Sequence, residues 1–385
     1  MLLGVIYIMR DFSNVKRIVL KIGSSSIVND DLSINQNMIY SLMKVFNQFK
    51  EMGIEVALVS SGAIALGMHK LKLEKRPKEM ALKQACAAVG QARLMEAYNR
   101  NASEFGLVCG QILVNHDDFE VRKRMLYLSD TLDAMFKNGI IPIINENDAL
   151  AVEEIKVGDN DTLASLIVPM INANLLVLFS DIDGLFDKNP KLFKDAKKVD
   201  VVEKISQEIY DMVGINPSNV GTGGMETKLN AAIIATNAGA DMIICNSLDI
   251  DKLKNIVDGE NIGTLFKAKS KGISSREHWM IFKAHSHGSI IVDEGLKNAL
   301  KDKKVSILPK GIKAINGDFL KGTIIDILDE TGEKLAKGIT NYSSIEINMI
   351  KGLETNEAKS ILEDYSKKEI IHANNLVVIR EDLLC

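Results

Sequence analysis

Between residues 17 and 267 the chain alternates short apolar runs with longer stretches of helical periodicity, and this pattern limits the fold more than any other feature. "RIVLKIG" begins the series and "NQNMIYSLMKVFNQFKEMG" follows as an amphipathic helix closed by Gly53. Next come "IEVALVSSG", helical stretches near 62–72 and 78–105, "LVCGQILV", the helical "DFEVRKRMLYLSDTLDAMFKNG", "IIPIINEND", the helical "DTLASLIVPMINA", and "NLLVLFSDIDG". "ADMIICNS" and "GTLF" close it. Strands this apolar, separated by helices of this length, predict a three-layer αβα sandwich around a mainly parallel sheet buried on both faces. Past about residue 267 the pattern changes. "KAKSKGISSREHW" lacks apolar periodicity, and from His287 short strands and glycine turns take over. The expected organisation is an N-terminal extension at 1–16, an α/β domain at 17–267, a linker at 268–286 and a small β-rich domain at 287–385.

Composition narrows the function classes. A hydrophobic fraction of 46% with 25% charged residues is that of a soluble globular protein. The net charge of −4 supplies no global field for nucleic acid or an anionic membrane. Cys86, Cys109, Cys245 and Cys385 are scattered, which favours reduced thiols over disulfides or a zinc site. The apolar start "MLLGVIYIM" lacks the flanks of a signal peptide and is too short to span a bilayer, so a cytoplasmic location is expected; Met9 is an alternative start. The six histidines show no metal-ligand spacing.

In an open α/β sheet, ligands bind beyond the carboxyl ends of the strands. Lys21, Gly23 and three serines follow the first strand, and Ser60, Ser61 and Gly62 the second. Glu146 and Asp148 lie at the end of "IIPIINEND"; Ser180 ends "NLLVLFS", and Asp181, Asp183 and Gly184 follow it. Asp159, Asn160 and Asp161 stand at a helix start, where Asp161 could serve merely as an N-cap. "GTGGMETK" at 221–228 is not a P-loop, because Thr227 precedes Lys228 and Leu229 follows it, where that motif needs glycine and a hydroxyl. Its glycines still let backbone approach an anion, and "KLNAAIIATNAGA" after it reads as a helix whose N-terminus favours phosphate. Glycine turns, two lysines and several acids or amides at one sheet edge suit a phosphate-bearing ligand with a divalent cation. "KQACAAVGQARLMEAY" reads as a core or interface helix.

"VLKIGSSS", "VSSGAIALG", "KQACAAVGQ", "PIINENDA", "EIKVGDNDTLAS", "LFSDIDGLF", "GTGGMETKLNAA" and "GTLF" occur in this order, and together they resemble the glutamate 5-kinases of the amino acid kinase superfamily. "VDEGLKNAL", "ILPKGI" and "FLKGTIIDILDETG" are similar to the PUA domain, a barrel, that many bacterial members carry. The resemblance implies ATP- and Mg2+-dependent phosphorylation of the side-chain carboxylate of L-glutamate, the first step of proline synthesis. It implies catalytic roles for Lys21, Lys228 and Asp161, and glutamate binding by Ser61, Gly62, Asp148 and Asn160. It places ATP on Lys21, Gly23, Ser180, Asp181 and the run Thr222, Gly223, Gly224, Met225, Glu226, Thr227 and Lys228, with Mg2+ held mainly by the phosphates rather than by protein ligands. A homo-oligomer, dimer or tetramer, and feedback inhibition by proline are further implications. Ser180, Phe186 and Asn189, and likewise Asn115 and His116, depart from the family pattern. Two other readings are a kinase of the same fold acting on acetylglutamate or aspartate, and RNA binding through the C-terminal part. The second is disfavoured by charge, since residues 287–351 hold 10 lysines, no arginine and 9 acidic residues.

Overall fold

A computed structural model describes residues 10–115, 117–150, 160–190, 192–213, 224–269, 272–282, 284–302, 304–362 and 367–379. Eight strands of the first unit form one sheet: β1 (Arg17–Lys21), β2 (Glu55–Val59), β3 (Val108–Val114), β4 (Ile140–Glu146), β5 (Leu175–Ser180), β6 (Val201–Val202), β7 (Asp241–Asn246) and β8 (Thr264–Phe266). Their order is β3-β4-β2-β1-β5-β7-β8-β6. All neighbours pair in parallel except β7 and β8, which run antiparallel. All six residues of β5 are buried, as are Ile18, Val19 and Leu20 in β1, because helices cover both faces.

Chain direction decides where a site can form. From β1 the chain passes to β2 on one side, whereas β5, on the other side, is reached only after the helix Asn160–Met170. The carboxyl ends of β1 and β5 therefore flank a topological switch point, the crevice where open α/β sheets bind ligands.

The helix expected over 118–139 is broken in two. Asp117–Glu120 and Arg122–Lys137 are separate helices, and Val121 between them is extended at φ −86°, ψ 106°. The reason is local, since the Asp118 carboxylate accepts from the Asn115 backbone N–H at 2.7 Å and fixes a separate first turn. The helices Ala63–Lys70 and Met80–Ser103 cross in very close contact. A Cβ on Gly90 would lie 1.7 Å from the Ala63 carbonyl oxygen, and one on Gly67 would lie 1.9 Å from that of Cys86. Only residues without a side chain allow this approach. It presses the middle of the long helix against the turn that leaves β2.

A second unit begins at Ser275, within the stretch 268–286, where Ser275–Phe282 is helical. Its strands are β9 (Ser289–Val292), β10 (Ile312–Asn316), β11 (Ile324–Leu328), β12 (Lys334–Ile339) and β13 (Leu376–Val378), in the order β10-β9-β11-β12-β13. Only β9 and β11 pair in parallel. Ile290, Val292, Ile325, Ile327, Ala336 and Tyr342 form its core with the helix Ser344–Ile350, which Ser343 and Glu346 cap reciprocally. No helix among the described residues is long and apolar enough to cross a membrane.

Candidate active site

Three elements meet at the β1/β5 edge, each bringing one charge. Lys21 is the last residue of β1, Asp161 lies in the first turn of the helix Asn160–Met170, and Lys228 lies in the first turn of the helix Met225–Asn237. Lys21 Nζ stands 2.6 Å from Asp161 Oδ1, and Lys228 Nζ stands 2.8 Å from Asp161 Oδ2. The Thr227 hydroxyl lies within hydrogen-bond distance of the same Oδ2, at 3.3 Å. Asp161 is 1% exposed. Burial opposes its ionisation, but Lys21 and Lys228 outweigh that cost and hold the carboxyl below the usual carboxylate range. Asp161 is thus an ion-pair centre, not simply an N-cap. Gly23 sits beside the Lys21 amine, where a Cβ would come within 3.9 Å of Nζ.

The Lys228 segment differs locally from the sequence expectation. Its helix starts at Met225, three residues before the expected "KLNAAIIATNAGA", so Met225, Glu226 and Thr227 belong to the first turn rather than to a loop before it. Gly224, at φ +94°, makes the turn into the helix. Backbone N–H groups and the positive end of the helix dipole therefore face the lysine side of the site.

Beyond Lys228 opens a cleft of about 420 Å3. Ser180, Asp181, Gly224, Met225, Glu226 and Lys228 line it, together with Phe186 and Asn189. Of the nucleotide residues expected from sequence, Lys21 and Gly23 stand at the ion-pair centre and Thr227 lies behind the cleft against Asp161; Thr222 and Gly223 fall outside the described residues. His116 does too, as does Asp159. Ser180 Oγ and Asp181 Oδ1 are 3.3 Å apart, a pair of hard oxygen donors of the kind that suits magnesium. Among the described residues, no group of three or more His, Cys, Asp or Glu side chains is placed to hold a metal.

On the other side of the ion pairs lies a second cavity, about 270 Å3, lined by Asp148, Glu146, Gln91, Gln111 and Ala63 among others. Burial pushes the Asp148 carboxyl above its ordinary value, while Arg76 pulls it the other way. Ser61 and Gly62 lead into the helix that starts at Ala63. Asn160 ties this side to the ion pairs. Its amide nitrogen lies 2.6 Å from Ser61 Oγ, 2.8 Å from the Ser60 carbonyl and 3.1 Å from Asn145 Oδ1. Asn145 Oδ1 also accepts from the Glu146 N–H at 2.9 Å, and Asn145 Nδ2 donates to Gln91 Oε1 at 3.0 Å. Ser60 in turn pairs with Tyr98 OH at 2.8 Å.

Asn145, Gln91 and Tyr98 were not singled out from the sequence. The signal was present but weak. Asn145 is a polar residue ending the apolar run "IIPIIN", and Gln91 interrupts the small apolar residues of "QACAAVGQA". Both are buried, at 2% and 7% exposure. A polar side chain on a buried face must find a partner, and these found each other.

Comparison with known proteins places the whole chain in a family. The amino acid kinase family matches residues 16–246, and the PUA domain matches residues 288–362. A glutamate 5-kinase of Caldanaerobacter subterraneus is 44% identical over 363 residues, 94% of this chain and 98% of that protein. Proteins of the same name from Carboxydothermus hydrogenoformans and Dictyoglomus thermophilum are each 42% identical, over 95% and 94% of this chain respectively and 98% of theirs. With a site of this construction and similarity over almost its whole length, the chain belongs to the amino acid kinase family, and within it to the group of the glutamate 5-kinases.

Proposed function

We propose that the chain transfers the γ-phosphoryl group of ATP to the side-chain carboxylate of L-glutamate, giving γ-glutamyl phosphate, the first step of proline synthesis. The observation that carries this reading is the pair of lysine amines held on one buried carboxylate, with a cleft on one side and a cavity containing Asp148 on the other. A glutamate side chain has an ordinary pKa of about 4.3, so the nucleophile is ionised at neutral pH and needs no general base. The barrier is the approach of two anions. Catalysis is then positioning plus charge neutralisation.

In this reading Lys21 and Lys228 flank the transferring group and neutralise its oxygens as charge develops. Asp161 fixes both amines and keeps them apart. Gly23, Gly224 and the first turn of the helix Met225–Asn237 bring backbone N–H groups to the phosphates, with Thr222 and Gly223 before them in sequence. Ser180, Asp181, Met225 and Glu226 form walls of the nucleotide cleft. Magnesium bound with the nucleotide would supply further positive charge there. Ser61, Gly62 and Asn160 hold the glutamate chain, and Asp148 receives its ammonium group.

The test is a hydroxamate assay with ATP and magnesium, offering L-glutamate, aspartate and acetylglutamate in parallel. Glutamate is expected to be the preferred acceptor by a wide margin. Preference for either other acid would reassign the substrate, and the absence of product with all three would end this reading.

A further inference from the structure

The second cavity contains a donor that the roles above do not use. Gln91 is 7% exposed, and its Nε2 is buried with no hydrogen-bond partner. Leaving a buried N–H unpaired is costly, so such a group in a well-packed wall calls for an explanation. A flipped side chain is not that explanation. Gln91 Oε1 accepts from Asn145 Nδ2, while Asn145 Oδ1 is held by the Glu146 N–H and by Asn160. Each amide fixes the orientation of the next, so the nitrogen of Gln91 is committed to the position that lacks an acceptor. Its place is also set by the backbone, because the neighbouring Gly90 packs directly on the Ala63 carbonyl and Ala63 lines the same cavity.

Asp148 and Gln91 both line this cavity, so its lining residues include a carboxylate and an amide whose nitrogen lacks an acceptor. One suits an ammonium group and the other a carboxylate. Those are the two charged groups on the α-carbon of a free amino acid.

We infer that Gln91 is a specificity-determining residue whose Nε2–H donates to the α-carboxylate of the amino-acid substrate, completing with Asp148 a subsite for the zwitterionic head group. This rests on the function proposed above and adds a residue and a selection rule to it. The ligand supplies the missing acceptor, so acids without an α-carboxylate leave Gln91 unpaired and bind weakly. A site built to pair a polar group discriminates strongly against analogues that lack it.

The experiment compares L-glutamate with 4-aminobutanoate, which has the same chain and amino group but no α-carboxylate. Dissociation constants are measured by calorimetry on the full chain and on two variants, with thermal melts to establish folding. Gln91→Glu, examined at mildly alkaline pH, keeps an acceptor for Asn145 and removes the donor. Gln91→Met removes both without adding charge. The parent should bind glutamate much more tightly than 4-aminobutanoate. In either folded variant glutamate affinity should fall by about tenfold or more, the scale of a hydrogen bond to a charged group. Affinity for 4-aminobutanoate and the KM for ATP should stay near the parental values. Equal losses for both acids would show a merely structural role and overturn the inference, as would parental glutamate affinity in either variant. A parent that yields no hydroxamate from glutamate would instead overturn the proposed function, and this inference with it.

Discussion

Lys21 Nζ and Lys228 Nζ share one counter-ion, gripping different oxygens of Asp161 at 2.6 and 2.8 Å. One lysine ends a strand near the start of the chain, and the other lies in the first turn of a helix in its second half. Two ammonium groups this close would repel each other in a half-buried crevice. A single carboxylate offsets that repulsion and sets their spacing, while leaving the trio with a net positive charge. An incoming phosphoryl group meets a prearranged cation pair and need not assemble one.

Removing either amine should abolish turnover while sparing the fold. In Lys21→Ala or Lys228→Ala, Asp161 keeps the other lysine, so its charge stays paired. We expect kcat to fall by about 10²–10³ or more, the scale for deleting one preorganised charge-stabilising group, with an unchanged circular dichroism spectrum. Substantial kcat in either variant would reject its catalytic role.

Asp161→Asn should damage both stability and activity. It strands two partly buried lysines, and removing one partner of a buried ion pair typically costs about 3–5 kcal/mol. The pH dependence has a definite sign. The folded-state carboxyl is held below its ordinary value, so its stabilisation is full above the unfolded-state value and is lost as pH falls through the depressed folded value. The melting-temperature gap between parent and variant should be wide at neutral pH and close in acid. A gap independent of pH would contradict this electrostatic account.

Asp148 should behave in the opposite way. Burial raises its folded-state value, so the empty protein carries a penalty for keeping it ionised at neutral pH, and that penalty disappears as pH falls. Asp148→Asn should melt at least as high as the parent at neutral pH, while its KM for glutamate rises far more than its KM for ATP. In the parent, the KM for glutamate should climb with acidification from above the ordinary aspartate range. Equal effects on both substrates would remove Asp148 as the ammonium partner.

Gly90→Ala probes the helix crossing behind the site. The added methyl would sit 1.7 Å from the Ala63 carbonyl, against backbone that cannot step aside. Overpacking of this kind costs about 1–3 kcal/mol, and sometimes more. Unfolding in denaturant should show that loss, and glutamate affinity should fall with it because Gln91 and Ala63 move together. A stable variant with parental affinity would mean that the two helices separate easily.

The strand series was legible because β1, β2, β4 and β5 are short apolar runs between well-formed helices, and a parallel sheet covered on both faces requires that pattern. The antiparallel pairing of β8 with β7 was not legible, since a three-residue strand carries no directional signal. The start of the helix at Met225 was hidden because Met-Glu-Thr-Lys fits a loop or a first turn equally well, and Gly224's backbone angle decides between them. Lys21, Asp161 and Lys228 could be picked out as chemistry-bearing residues at strand and helix ends. That they touch is a property of strand order.

The sequence by itself determined the alternation of elements and the residue types available at the sheet edge, because both depend on neighbours along the chain. Only the tertiary structure decided that Asp161 serves two lysines and that Gln91, Asn145 and Asn160 orient one another. Those contacts join segments far apart in the chain, and their energies depend on burial and direction, which exist only once the sheet and the helix crossing have formed.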